Sequence, residues 1–367
     1  MKVGLVCYWF NRGQAVVGRH LRAALHELGV ETAVLARPTT PSFTRPGFVD
    51  ETGVWSQPGV TRASAYRIPR DEYLDWARRE SLDVVLFDQN LQFDEIAVLR
   101  SAGYRTIGRF VWESFGPDDL EGARRAFDVI YSMTAAEQRR YRDWGIESPR
   151  VRWTCPPEIA GRERITRGDD LVRFLYPGGY LSDRKPSEET LEAFVRVSDP
   201  RARLVVKAQH PVRGSQLVER ARELDSRIEV IVQDLDTDAH HDLLASADVF
   251  LSPTRWEGLG LHHYEALALG LPTITNDFAP MNELVTHDVD GWLIPARWEV
   301  ERRPGVPRLL TDPEELAAGI ESLCDDDRRR RLADAASARG RTLDWSLTVS
   351  DVASLLGLTG SGDGTCR

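Results

Sequence analysis

Glu257 and Glu265 stand eight positions apart within the stretch Asp248–Asp277, DVFLSPTRWEGLGLHHYEALALGLPTITND. A carboxylate accepts hydrogen bonds from vicinal hydroxyls, so two of them can grip the sugars at both ends of a diphosphate. Between them lie Gly258, Leu259, Gly260 and Leu261. The two glycines lack Cβ atoms, so backbone N–H groups there can come close to a phosphate at the positive end of a helix. The ligand this pattern suits is a nucleotide sugar. Two other readings stay open: ordinary acidic residues at a helix start, and a glycosidase pair flanking a bond to be hydrolysed.

These residues need a particular frame. Val249-Phe250-Leu251 reads as a buried strand of a parallel sheet, ended by Ser252-Pro253. The loop carries Trp256, and from Leu261 the apolar spacing becomes helical, with Leu261, Tyr264, Leu267 and Ala268 on one face. Gly270 supplies a C-terminal stop, Pro272 forbids continuation, and Thr273-Ile274-Thr275 reads as the next strand. The unit is strand, glycine loop, helix, strand.

The segment EGLGLHHYEALALGLPTITND, followed by Asn282-Glu283-Leu284-Val285 and Asp290-Gly291-Trp292-Leu293-Ile294-Pro295, resembles the signature of retaining glycosyltransferases of family 4, the glycosyl transferases group 1. That signature is two glutamates separated by seven residues, a Gly-x-Pro turn, an acidic residue, a Glu-Ile-Val-like helix and a Gly-x-Leu-x-Pro loop. The resemblance implies the α/β GT-B fold, with two Rossmann-like domains whose parallel sheets face a central cleft. The acceptor would bind mostly on the first domain and the donor on the second.

With 367 residues and 42% hydrophobic content, the chain suits two domains with a core each. A formal net charge of −10 argues against nucleic acid or an anionic membrane as the main partner. No window is long and apolar enough to span a bilayer, and MKVGLVCYWF runs straight into a strand without a signal-peptide pattern. Cys7, Cys155, Cys324 and Cys366 show neither CxxC nor metal spacing, which fits free thiols in the cytoplasm. Lys2, Lys185 and Lys207 are the three lysines among 47 basic residues, so a lysine beside a site draws notice.

The chain opens with a strand at 3–8, the loop Asn11-Arg12-Gly13-Gln14, a helix from Ala15 to Leu28 and a strand at 31–35. Gly13 is a candidate anion site at that helix start, although GxGxxG spacing is absent. The resemblance has this loop face the donor phosphates and acceptor, which adds Asn11 and Arg12 as acceptor-side candidates. Pro38–Arg67 has no helical period and reads as a long functional or disordered loop. Helices at 71–80 and 95–102 then alternate with strands at 83–87 and 105–111. Ligands sit beyond the C-terminal ends of such strands, making Asp88, Asn90, Trp112 and Glu113 candidates for reading the acceptor; each could equally be a cap or core-edge residue. Many members of the resembled family carry a histidine after the fourth of these strands, where this chain has Phe110-Val111-Trp112-Glu113. A strand at 128–133 and a helix from Thr134 to Trp144 follow, the stretch 151–154 before Cys155-Pro156-Pro157-Glu158 resembles the family's final strand of this domain, and the charged segment Gly161–Asp170 reads as the linker.

The second domain begins with a strand at 172–176 and the turn Pro177-Gly178-Gly179, then Tyr180-Leu181-Ser182-Asp183-Arg184-Lys185-Pro186 leads into a helix. The resembled family has Gly-Arg-Leu, three residues, then lysine, with arginine and lysine clamping the diphosphate. Lys185 falls at the lysine position counted from Gly179, Tyr180 stands where arginine is expected, and Arg184 can supply the second cation. The alternative is a solvated pair at a helix start, which the helix dipole disfavours. After a strand at 204–207, a helix at 214–224 and a strand at 228–232, the loop Gln233-Asp234-Leu235 matches the place where the family holds the base. His240-His241 and His262-His263 form two pairs, but adjacent helical residues do not face one another, so no metal site is expected. Helices at 313–323, 327–338 and 345–356 end the ordered chain, and 359–367 reads as a disordered tail.

The expected division is 1–165 for acceptor binding, 166–342 for nucleotide-sugar binding, and 343–358 as a helix returning to the first domain. The resemblance implies transfer of a sugar from a nucleotide diphosphate donor to a hydroxyl acceptor with retention of configuration, with Arg184, Lys185 and Glu257 as the catalytic set. Glu257 would hold the sugar hydroxyls and Glu265 the ribose. No cofactor is expected, and without an Asp-x-Asp motif the transfer is expected to be metal-independent. A sugar phosphorylase on the same fold and a catalytically silent sugar-nucleotide binder stand as alternatives. Donor base, transferred sugar, acceptor and oligomeric state are left open.

Overall fold

A computed structural model describes residues 1–40, 45–303 and 306–358, so the tail at 359–367 lies outside the described residues. The chain divides into two compact units: Met1–Trp153 joined by the segment that begins at Trp345, and Thr154–Asp344.

The first unit is built on strands β1 (Lys2–Tyr8), β2 (Glu31–Arg37), β3 (Val60–Arg62), β4 (Val84–Asp88), β5 (Arg105–Arg109) and β6 (Val129–Ile130). They pair in parallel in the order β3-β2-β1-β4-β5-β6. Runs such as Val84–Asp88, buried throughout, mark strands covered on both faces. The covers are helices α1 (Gly13–Glu27), α2 (Arg70–Arg79), α3 (Phe93–Ser101), α4 (Leu120–Ala126) and α5 (Ala135–Asp143). The strand order reverses between β1 and β4, which makes the space beyond their C-terminal ends the natural ligand position.

Three departures from the sequence reading have simple causes. Pro38–Arg67 is not structureless where it is described: it forms a short turn at Gly53–Trp55 and the edge strand β3, in register with β2. Trp9 donates its indole N–H to the Trp55 carbonyl at 2.8 Å, a tertiary bond that local pattern cannot reveal. The short helix α4 buries only Ala123 and Ala126, too little periodicity to see. Residues 151–154 form no strand: β6 ends at Ile130, and the pairing beyond it is an isolated bridge between Ser132 and Arg150.

The second unit repeats the plan with β7 (Val172–Gly179), β8 (Ala202–Ala208), β9 (Ile228–Val232), β10 (Val249–Ser252), β11 (Thr273–Asn276) and β12 (Gly291–Ile294), ordered β12-β11-β10-β7-β8-β9. Its reversal lies between β7 and β10. Strand β7 runs on to Gly179 through a register shift, where the sequence suggests a turn after Tyr176. Helices α6 (Pro157–Ala160), α7 (Ser187–Val195), α8 (Pro211–Leu224), α9 (Thr237–Ala245), α10 (Leu261–Ala268), α11 (Pro313–Ser322) and α12 (Asp326–Thr342) surround a core that includes Phe174, Tyr176, Leu191, Phe194 and Leu204. An antiparallel hairpin, β13 (Arg297–Arg303) and β14 (Val306–Leu310), was not legible in its polar sequence.

The unit boundary at Trp153 precedes the charged segment 161–170 read as the linker. That segment is tied to the second unit: the Ile165 N–H donates to Ala245 O at 2.9 Å, and Arg162 pairs with Asp238 and Asp242 of α9. The last helix, α13 (Trp345–Leu356), belongs to the first unit. Arg152 grips Asp351 with two bonds of 2.7 Å, and Trp345 Nε1 donates to Glu27 Oε1 at 2.7 Å.

Candidate active site

The site of the second unit sits at its strand-order reversal, where the loop after β7 meets the loop after β10. Lys185 Nζ donates to Glu257 Oε1 at 3.0 Å, and Arg184 Nη1 approaches Glu257 Oε2 at 3.6 Å. Lys185 and Glu257 are each only 8% exposed, so this is a buried ion pair with a second, half-exposed cation beside it. Burial alone would raise the Glu257 carboxyl, but the Arg184 and Lys185 charges, aided by the Lys185 hydrogen bond, hold it well below the usual carboxylate range. Burial pulls the Lys185 ammonium below the ordinary lysine range against the attraction of Glu257. The carboxylate, with two cations, is the better stabilised partner.

The loops are held by residues that sequence reasoning passed over. Arg255, buried, donates to the Asp183 carbonyl at 2.6 Å and pairs with Glu189. Its own N–H bonds the Arg184 carbonyl at 2.9 Å. Arg308 on β14 binds the Asp183 carboxylate at 2.9 Å, so the unforeseen hairpin steadies the cationic loop. Thr254 Oγ1 donates to the Trp256 carbonyl at 2.9 Å, and the Asn276 amide donates to Thr254 O at 2.7 Å. No local pattern marks Arg255, because its partners Asp183 and Glu189 lie 72 and 66 residues away in the chain.

Gly260 adopts φ +74 at the start of α10, a left-handed conformation that glycine tolerates. With Gly258 and Leu259 buried and Leu261 half-buried, the turn presents the helix start beside Glu257. His263 lies beneath it, 1% exposed, with Nε2 3.2 Å from Thr275 Oγ1. Burial pushes its imidazole down to about 4, with Glu257 opposing, so it is neutral at physiological pH. Glu265, on α10, stands 2.8 Å from His262 Nδ1 and 3.6 Å from His240 Nε2. Burial would raise its carboxyl, but the two histidines hold it well below the ordinary range.

The remaining donor-side candidates surround this centre. Gly179, φ +56, ends β7 and accepts the Gln209 N–H at 2.7 Å. Gln233 is exposed and Leu235 half-buried in the loop after β9. Lys207, the remaining lysine of this unit, donates to the Gln233 carbonyl at 2.6 Å and fixes that loop.

In the first unit the candidates part company. Gly13 starts α1, and Asn11 and Arg12 are half-buried just before it. Asp88 ends β4 in a buried ion pair with Arg109 at 2.8 Å. Asn90 is fully buried, donating to Tyr73 Oη at 2.8 Å and accepting from the Gln92 N–H, an interior turn anchor. Trp112 is buried with Arg140 over its ring at 5.2 Å, and Glu113 is half-buried in the short turn 112–114.

The metal expectation rested on the spacing of two histidine pairs along the chain. The structure brings one histidine of each pair together instead, His240 from α9 and His262 from α10, around Glu265.

Two parallel six-stranded Rossmann-like sheets define the class: this is the GT-B fold. Solved structures agree over nearly the whole chain. Sucrose-phosphate synthase from Thermosynechococcus elongatus superposes with a TM-score of 0.75 at 16% identity, covering 98% of both chains. Anabaena HepE in complex with UDP and glucose gives 0.71 at 14%, covering 98% of this chain and 100% of that one. Residues 172–326, within the second unit, match the family described as glycosyl transferases group 1. The lipopolysaccharide core biosynthesis mannosyltransferase LpsB of Rhizobium meliloti is 31% identical over 28% of this chain and 25% of its own length. A GDP-mannose-dependent phosphatidylinositol dimannoside mannosyltransferase of Mycobacterium tuberculosis is 27% identical over 49% of this chain and 42% of its own. The chain thus spans less than half the length of either relative. Among the described residues no helix is long and apolar enough to cross a membrane.

Proposed function

We propose that the chain is a retaining glycosyltransferase moving a sugar from a nucleotide diphosphate sugar to a hydroxyl acceptor. The observation that carries this is the buried Lys185–Glu257 pair with Arg184 beside it, set at the strand-order reversal next to the Gly260 helix start. Two cations and a helix N-terminus suit a diphosphate leaving group. A carboxylate already kept charged suits sugar hydroxyls. In this reading Glu257 releases part of its hold on Lys185 to the diphosphate and accepts from the donor sugar, and Glu265 accepts from the ribose. The departing phosphate takes the acceptor proton as the new bond forms on the same face, while Arg184, Lys185 and the N–H groups near Gly260 stabilise its growing charge. GDP-mannose in the name of one relative, and UDP and glucose bound together in a structural neighbour, support this donor class. The net charge of −10 favours a soluble acceptor over a lipid-linked one.

The test has two stages. A thermal-shift panel of UDP-, GDP-, ADP- and dTDP-sugars should raise the melting temperature for the true donor. Proton NMR of the fresh product with that donor should show an α-linked anomeric signal from an α-linked donor. A β-linked product overturns retention, and no stabilisation by any sugar nucleotide overturns the donor site.

A further inference from the structure

Helices α9 and α10 bring His240, His262 and Glu265 to one place, each offering a donor atom, with the three atoms within 4.8 Å of one another. Glu265 Oε2 is common to both contacts, 2.8 Å from His262 Nδ1 and 3.6 Å from His240 Nε2. The imidazole planes are inclined at 60° with ring centres 5.3 Å apart. Tetrahedral zinc, with bonds of about 2.0 to 2.2 Å, sets neighbouring ligand atoms about 3.3 to 3.5 Å apart. The His240 contact already lies near that spacing. The His262 contact must lengthen by about half an ångström, a motion open to a side chain that is 41% exposed.

We propose that His240, His262 and Glu265 form a binding site for a divalent transition-metal ion of the zinc type, with one coordination position left open. The donor set of two imidazoles and one carboxylate favours zinc, nickel or copper over magnesium or calcium, which prefer oxygen. The site is reachable, since the three side chains are 24%, 41% and 14% exposed. His240 comes from α9, and His262 and Glu265 come from α10, so the site exists only in the folded unit. An ion there takes up Glu265, the carboxylate assigned above to the nucleoside. The site itself stands apart from that reading, because it needs no nucleotide to form.

The experiment titrates the untagged full chain with cobalt alone, then zinc alone. One cobalt ion per chain should bind and produce the intense visible absorption of a four-coordinate centre, and zinc should displace it. His240→Ala and His262→Ala should each weaken binding by more than the roughly hundredfold typical of losing an outer-shell partner, while His241→Ala keeps it. Circular dichroism checks that the variants are folded, and zinc should raise the melting temperature of the wild type but not of folded variants. No saturable binding to the wild type overturns the site. So does binding that survives in both folded variants.

Discussion

Lys185 Nζ and Glu257 Oε1 meet at 3.0 Å across two loops that lie 72 residues apart in sequence, and both side chains are buried. The contact exists because β7 and β10 are neighbours in the sheet, pairing Val249 with Phe174. Removing one partner of a buried pair costs about 3 to 5 kcal/mol, since the other charge stays buried and uncompensated. Arg184, at 3.6 Å, softens that penalty. Lys185→Met should therefore destabilise the fold toward the lower end of that range. The double variant Lys185→Met with Glu257→Gln should recover much of the loss in urea denaturation. Additive losses would mean the two side chains are not coupled.

Turnover should separate the roles. Lys185→Ala and Arg184→Ala should each reduce sugar-nucleotide turnover by about a hundred- to a thousandfold, the cost of one donor to a developing charge. Glu257→Gln should cut turnover, whereas Glu265→Gln should chiefly raise the nucleotide Kd. Wild-type kinetics in both lysine and arginine variants would displace the diphosphate from this loop.

Glu137 and His263 should give stability opposite pH slopes. In the first unit Glu137 is 2% exposed, and burial, offset in part by Arg109 and by hydrogen bonds from Met133 N–H and Tyr141, pushes its carboxyl from 4.5 up to about 7. The folded state then holds the proton more tightly, so stability is greatest below 4.5 and falls as pH rises to 7. The span is about 3 kcal/mol. Glu137→Gln should abolish that slope and make the unit more stable at pH 8, measured by denaturation at several pH values.

His263 runs the other way. Its folded value of about 4 lies below the ordinary 6.5, so the contribution is present above 6.5 and is lost as pH falls toward 4. His263→Asn should remove this acid sensitivity from the second unit. Hydrogen exchange resolved by unit distinguishes the two slopes, and the same slope in both units would contradict the assignment.

Gly260 and Gly340 test the seating of α10. A Cβ at Gly260 would be strained at φ +74 and would meet His263 Nδ1 at 3.0 Å. One at Gly340 of α12 would meet the Leu267 carbonyl at 2.2 Å, backbone that cannot yield. Gly260→Ala should cost about 1 to 2 kcal/mol and weaken nucleotide binding. Gly340→Ala should destabilise more, by pushing α12 off α10, with the melting temperature as the measure.

Residues 257–295 by themselves carried the family resemblance, because a helix start, a glycine turn and two glutamates must follow one another along the chain to serve one phosphate-bearing ligand. Strands such as Val84–Asp88 were also legible, since burial on both faces demands an unbroken apolar run. Other features depended on partners distant in sequence. Asn90 looks like a loop acceptor until Tyr73 and Gln92 close around it. Arg255 gains its role only when Asp183 and Glu189 arrive from the loop and helix after β7. His240 and His262 converge through helix packing, which adjacent-residue spacing cannot express. Local periodicity records which face of an element is buried; tertiary structure alone decides which polar groups meet there, because their bonds join elements that the sequence keeps apart.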